Sequence, residues 1–146
     1  THFAGEAYQR IELSENGLDC RIVPASDPVG EGTYNAAEFT PALIKDGEKI
    51  EDSFWTGEQP RACFGTGDQG VYMLIIEGRY PDEGIRGTSV NTCSDILLAY
   101  GCRNALNMDG GSSAILWYDG EYVTQSSSSF LRYTGGRPLP NAWVYG

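Results

Sequence analysis

The residues best suited to chemistry lie together in the run Asn107-Met108-Asp109-Gly110-Gly111-Ser112-Ser113. A carboxylate precedes two glycines and two serines at a point where the chain must turn. The glycines permit positive φ and let a ligand approach backbone N–H groups closely. A carboxylate at the end of a strand is also held in a defined position. Short apolar stretches flank the run, Ala105–Met108 before it and Ala114–Trp117 after it, and both read as strands. The plain alternative is a tight Asp-Gly turn between two strands, which is ordinary punctuation. Company argues for chemistry. Arg61, the pair Glu77 and Arg79 around Gly78, and Arg137 fall at predicted strand ends or in a Gly-rich approach to a strand. If those strands are neighbours, one rim of a sheet collects guanidiniums, carboxylates and the backbone of 110–113. Guanidinium forks bind phosphate oxygens bidentately, N–H groups and serine hydroxyls add donors, and a carboxylate can move a proton or attack. Such a rim suits a substrate carrying a phosphate and a leaving group. The competing reading is that these charges only pair with one another at the sheet edge.

Other chemistries are excluded or weakened. His2 is the single histidine and lies at the chain start, so a Ser-His-Asp triad cannot be assembled. The glycines at 65, 67 and 70 spell GTGDQG, but they fall between two predicted strands instead of opening a helix, so the dinucleotide reading fails. Asp68 there reads as hairpin chemistry. EF-hand spacing is absent. The four cysteines (Cys20, Cys63, Cys93, Cys102) contain no CxxC pair, which makes a structural zinc site improbable, and two disulfides and four buried thiols both stay open. No cofactor is expected; a divalent cation on Asp109 or Glu77 is conceivable, but no metal motif supports one.

Ten basic residues face twenty acidic ones, for a net charge of -10. That field repels nucleic acid and anionic membranes, so any phosphorylated partner must be met by a few well-placed arginines. No apolar run is long enough for a membrane span. The chain opens on Thr1 rather than Met, which suggests processing or a fragment, and with its acidity this points to a secreted or cell-surface protein. At 146 residues the chain reads as one domain, 1–146.

The elements that must position these residues are mostly strands. Tyr8–Leu13 alternates as a half-buried strand does, and Asn16-Gly17 turns it into Leu18–Val23. Ala25–Gly32 is a loop, Tyr34–Phe39 is ambiguous, and Pro41–Lys45 turns at Asp46-Gly47 into Glu48–Ile50. In the loop Asp52–Pro60, Phe54 and Trp55 are expected to form a hydrophobic plug. Arg61–Gly65 and Val71–Glu77 are strands joined by a turn, and the second is so continuously apolar that it is expected at the centre of a sheet. Thr88-Ser89 offers an N-cap for the one convincing helix, about 90–100, whose apolar residues Val90, Cys93, Ile96 and Leu97 keep a 3.6 period, with Gly101 closing it. Asp119-Gly120 makes a hairpin turn into Glu121–Thr124, Ser126–Ser129 reads as a mobile loop, and Asn141–Tyr145 as a final strand. The fold class is α+β: a mixed, mostly β-sheet core with one clear helix packed on the sheet.

In order along the chain, these elements resemble the phosphodiester glycosidase domain family. The resemblance rests on Pro60-Arg61 through Gly65, Ile76-Glu77-Gly78-Arg79, the helix with Thr92-Cys93, Gly101-Cys102, Asn107 through Ser113, and Gly136-Arg137-Pro138. Phe39 through Gly47 resembles the element that precedes them. The likeness covers about 39–146, and Thr1–Gly32 shows no counterpart of the family's N-terminal portion. Glu77 also stands where Asp is usual, one methylene longer.

The resemblance implies hydrolysis of a GlcNAc-1-phosphodiester-like substrate at its glycosidic bond, releasing free sugar. Asp109 and Glu77 would be the catalytic carboxylates. Arg61, Arg79, Arg137, Asn107, Gly110, Gly111, Ser112 and Ser113 would bind the substrate. The implied partners are a sugar-phosphate or glycan substrate and a missing N-terminal half or second chain, with no nucleic acid and no membrane insertion. On that view the chain is the C-terminal part of a larger domain. The other reading is a non-catalytic module of the same fold that binds glycan or sugar phosphate.

Overall fold

The structure is a computed structural model and describes residues 8–127 and 136–144. Its first unit is a three-stranded antiparallel sheet of β1 (Gln9–Leu13), β2 (Cys20–Pro24) and β3 (Asn35–Phe39), in the order β2-β1-β3. The Asn16-Gly17 turn closes the first hairpin, with Gly17 at φ 70. The ambiguous Tyr34–Phe39 stretch is a strand because β1 offers it a second edge.

The second unit is a five-stranded sheet with every pairing antiparallel. It contains β4 (Ala42–Lys45), β5 (Glu48–Lys49), β6 (Arg61–Gly67), β7 (Gly70–Ile76) and β8 (Cys102–Asn107), in the order β5-β4-β8-β6-β7. GTGDQG is the β6–β7 hairpin, as expected. Helix α1 (Val90–Ala99) leads from the sheet rim back to β8. Ser89 caps it, its hydroxyl accepting the Thr92 amide at 3.2 Å, and Gly101 at φ 86 ends it in the left-handed region that favours glycine. A short hairpin of β9 (Trp117–Tyr118) and β10 (Glu121–Tyr122) stands apart from both sheets.

Strand alternation builds a core on each face of the larger sheet. On one face Val90, Cys93 and Leu97 of α1 bury against Leu43, Ile44, Cys63 and Ala105, with Tyr72, Leu74 and Ile76 at the margin. On the other, Ile11, Leu13 and Ile22 of the small sheet bury against Ala42, Phe64 and Leu106, with Val71 and Met73 at the margin. A register shift in β4 between Ala42 and Ile44 turns both Leu43 and Ile44 toward the helix. The order is helix, sheet, sheet, which bears out the α+β reading. All four cysteines are free thiols. Burial raises the pKa of Cys102 to about 11.

Several expectations need correction. The apolar strand β7 is at the edge of the sheet, not its centre; β8 is central. Its run of apolar residues reflects cover from a layer on each face, which periodicity cannot separate from a central position. Phe54 is 72% exposed and plugs nothing, while Trp55 packs partly on the helix-side core. Ala114–Leu116 is irregular, and the strand begins only at Trp117. Residues 141–144 form no strand; Trp143 instead stacks on Phe64 with ring centroids 3.9 Å apart, covering the core. Tyr145, the last residue of that expected strand, lies outside the described residues.

The small sheet carries a buried ionic network. Glu12 accepts from Arg10 Nε at 2.7 Å, Arg21 Nε at 2.7 Å, the Thr33 hydroxyl at 3.1 Å and the Gly30 amide at 3.2 Å. Arg10 donates onward to the carbonyls of Ala25 and Asp27, at 3.0 and 2.8 Å, tying down the 25–33 loop. Burial alone would push the Glu12 carboxyl upward. The hydrogen bonds from Arg10, Arg21, Thr33 and Gly30 outweigh it and hold the carboxyl at about 2.

Candidate active site

Antiparallel order decides which residues meet. The start of β6 lies beside the end of β7, with Arg61 opposite Ile76, and beside the end of β8, with Cys63 opposite Asn107. The segments bearing Arg61, Glu77, Arg79 and Asp109 therefore emerge at one rim.

After β8 the chain makes a single 3-10 turn over Gly111–Ser113. Two contacts explain the glycines. A Cβ on Gly110 would come within 2.6 Å of the Pro60 carbonyl oxygen, and Gly111 sits at φ 57 and donates its N–H to that same carbonyl at 2.9 Å. The turn is thus clamped to the residue before Arg61. Ser113 donates its hydroxyl to Asp109 Oδ2 at 2.7 Å. Arg137 closes the group, with Nη2 3.0 Å from Asp109 Oδ2 and Nε 3.1 Å from Ser113 Oγ. Asp109 and Arg137 are both substantially exposed, so their pairing contributes less than about 1 kcal/mol and an entering anion can displace it.

Arg79 completes the cluster. It has φ 68, uncommon for a residue with a side chain. Its guanidinium reaches the DGG turn: a Cβ added to Gly111 would lie 3.1 Å from Nη2 and 3.2 Å from Nη1. Nε donates to Gln59 Oε1 at 2.9 Å. Among the described residues no carboxylate pairs with Arg79, and it is exposed. The cluster is therefore a carboxylate, a serine hydroxyl and two arginines around a glycine turn, one of the arginines lacking a counter-ion.

Three residues singled out from sequence are engaged otherwise. Arg61 is almost wholly buried and donates to backbone carbonyls, Nε to Thr88 at 2.9 Å and Nη2 to Gly57 at 2.7 Å, with the Trp55 ring 5.8 Å away. Burial lowers its pKa, as desolvation of a cation must. It fastens the 55–60 loop and the entrance of α1. Asn107 is also buried and donates Nδ2 to the Thr40 carbonyl at 2.7 Å, locking the start of β4, while its Oδ1 has no partner among the described residues. Glu77 accepts the Gln125 amide.

That last contact reveals a feature the sequence reading missed. Residues 123–127 form a strap across the rim. Tyr80 donates its hydroxyl to the Ser126 carbonyl, and Ser126 donates its own to the Ser112 carbonyl at 3.2 Å. Ser126 and Ser127 are buried, so these two do not belong to a mobile loop; Ser128 and Ser129 lie outside the described residues. No signal in a run of serines marks two of them as docked. Among the described residues, no three His, Cys, Asp or Glu side chains converge as a metal site requires.

A model of the phosphodiester glycosidase family matches residues 4–145, taking in the N-terminal hairpin as well as the region of sequence resemblance. Two solved structures show the same fold. One is the zebrafish N-acetylglucosamine-1-phosphodiester alpha-N-acetylglucosaminidase catalytic domain, auto-inhibited by its pro-peptide. It superposes with a TM-score of 0.59 at 15% identity, over 87% of this chain and 48% of that one. The other is a hypothetical protein from Synechocystis, with a TM-score of 0.50 at 19% identity, over 83% of this chain and 31% of that one. This chain thus spans about half the length of the zebrafish structure and about a third of the other. No curated protein sequence matches it.

Proposed function

This chain belongs to the phosphodiester glycosidase family, and from that premise we propose that it hydrolyses a sugar-1-phosphodiester, GlcNAc-1-phosphodiester-like, at the glycosidic bond. The single observation that carries the reading is the Arg79 guanidinium, with no carboxylate partner among the described residues, against the Gly111 turn beside Asp109, Ser113 and Arg137. Arg79 and Arg137 bind the phosphate oxygens. As the bond from the anomeric carbon to oxygen breaks, its electron pair goes to the phosphate, and the two cations are already placed to meet that charge. Phosphate pulls Arg137 toward itself and loosens its hold on Asp109. The freed carboxylate takes a proton from the water that bonds to the anomeric carbon, or stabilises positive charge on the sugar. The products are a free sugar and a phosphomonoester. Glu77 is the second candidate carboxylate, though its bond to the Gln125 amide suits it better to holding the strap. The Gly110 and Gly111 backbone and Ser112 border the same rim. Arg61 and Asn107 support the rim from beneath. The setting we propose is a secreted or cell-surface one, with a glycan-linked phosphodiester as substrate.

A second reading has its own observation. Arg61 and Glu77 are both occupied by backbone groups, which favours a module that binds sugar phosphate without turnover. Incubation with a GlcNAc-1-phosphodiester separates the two. Free N-acetylglucosamine that disappears in Asp109→Asn supports the enzyme. Binding that persists in Asp109→Asn, with no sugar released by either form, supports the binding module and overturns the enzyme.

A further inference from the structure

The β9–β10 hairpin exposes more aromatic surface than its structural work requires. Trp117, Tyr118 and Tyr122 are 60, 73 and 56% exposed, and Val123 is 56% exposed. A lone two-stranded hairpin is at best marginally stable, and burying its aromatics would be the ordinary way to secure it. Here they stay in water, on a ribbon that joins neither sheet. Trp117 and Tyr122 are cross-strand partners on one face, while Tyr118 pairs with Glu121 on the other. The Asp119-Gly120 turn, both residues at positive φ, fixes that register.

Both legs of the hairpin are pinned at the candidate site. The incoming leg leaves Ser113, whose hydroxyl bonds Asp109; Trp117 is four residues further on, a reach of at most about 14 Å. The outgoing leg bonds back to the incoming one, Val123 N–H to the Leu116 carbonyl and Leu116 N–H to the Thr124 hydroxyl, each at 2.8 Å. It then returns to the rim, where Ser126 holds the Ser112 carbonyl and Gln125 holds Glu77. The aromatic ribbon is a continuation of the rim.

We propose that this hairpin is a saccharide-binding platform on which a pyranose ring of the glycan, beyond the scissile phosphodiester, stacks against Trp117 and Tyr122. The inference rests on the sugar-phosphodiester reading and extends it to the substrate class, a glycan of more than one ring. The chemistry selects a neutral sugar. A pyranose offers an apolar C–H face to an aromatic ring and hydroxyls at its edge, and Trp and Tyr suit such half-wet contacts. Asp119 in the turn can accept from sugar hydroxyls, and the carboxylates of Asp119 and Glu121 repel polyanions and anionic lipid. The net charge of -10 also opposes a second copy of this chain on the same surface.

The test uses the full chain, a panel of neutral gluco- and galacto-configured oligosaccharides of two to six rings, and inorganic phosphate as an independent probe, read by calorimetry. The expected result is binding of at least one oligosaccharide, weakened about tenfold by Trp117→Ala and less by Tyr122→Ala. Tyr122→Phe retains it, and phosphate affinity and melting temperature are unchanged in all three variants. Absence of binding across the panel, or binding that Trp117→Ala leaves intact, overturns the platform. So does self-association of the wild type that Trp117→Ala abolishes, which assigns the surface to a second copy. The two readings fail separately. Phosphate binding lost in Arg79→Ala with no oligosaccharide bound sinks the platform alone; oligosaccharide bound through Trp117 with no sugar ever released sinks the hydrolase alone.

Discussion

Arg10, Glu12 and Arg21 in the three-stranded sheet can be set against Arg79, Asp109 and Arg137 at the rim of the five-stranded one. Each group is two arginines and a carboxylate on neighbouring segments. In the first, Glu12 is 2% exposed and four groups donate to it, while Arg10 is buried and satisfied by carbonyls. A buried charge survives only when paired and hydrogen-bonded, and here both conditions are met, so nothing is left over for a ligand. In the second, Asp109 and Arg137 share a weak exposed pair and Arg79 has no carboxylate among the described residues. Residue type does not distinguish structure from site. The bonds left unmade do.

The sharpest way to break this contrast is by stability. Glu12→Ala leaves buried Arg10 with only the half-exposed Glu38 as counter-ion and is expected to cost about 3 kcal/mol, the lower part of the range for a broken buried pair because Glu38 and two carbonyls still hold Arg10 and Arg21 is half in water. Asp109→Ala is expected to change stability by less than about 0.5 kcal/mol. Urea unfolding of the two variants side by side measures both; similar losses would mean the rim is as structural as the network. Binding gives the reverse contrast. Arg79→Ala should weaken affinity for a sugar phosphate by about tenfold, the contribution of one charged hydrogen bond, with no shift in the unfolding midpoint. Isothermal calorimetry on the folded variant reads that change, and Glu12→Gln should leave it untouched. A smaller effect, about 1 kcal/mol of stability, is expected for Gly111→Ala, since its φ of 57 is unfavourable for a side chain and the Arg79 guanidinium stands in the way. The Glu12 network also carries a pH dependence. Glu12 has its folded pKa depressed to about 2, so its stabilisation is complete above the ordinary carboxyl range and is lost as pH falls from there through about 2. Acid unfolding of Glu12→Gln should lack that contribution and show a shallower slope below pH ~4.

Much of this was legible in the sequence. The helix carried its own start and stop in Ser89 and Gly101, both local signals that the structure uses as expected. The rim was legible because antiparallel neighbours bring the start of one strand beside the ends of two others, and the charged residues flanked those ends. What stayed hidden depended on the third dimension. Arg61 has the sequence context of a phosphate ligand, yet Thr88 and Gly57 present carbonyls that claim its guanidinium. The edge position of β7 was masked by apolar cover on both faces. Ser126 and Ser127 lie in a serine run with no pattern, and only the contacts with Tyr80 and Ser112 fix them. Long-range hydrogen bonds leave no periodicity behind.

The most direct test of the account is single-turnover release of free N-acetylglucosamine from a GlcNAc-1-phosphodiester by the wild type, Asp109→Asn and Arg79→Ala. The expected result is release by the wild type, a fall of about a hundredfold or more in Asp109→Asn, and a smaller fall in Arg79→Ala that tracks its weaker binding. Release that Asp109→Asn leaves unchanged would contradict the account, because the rim would then hold the substrate without being where its bond breaks.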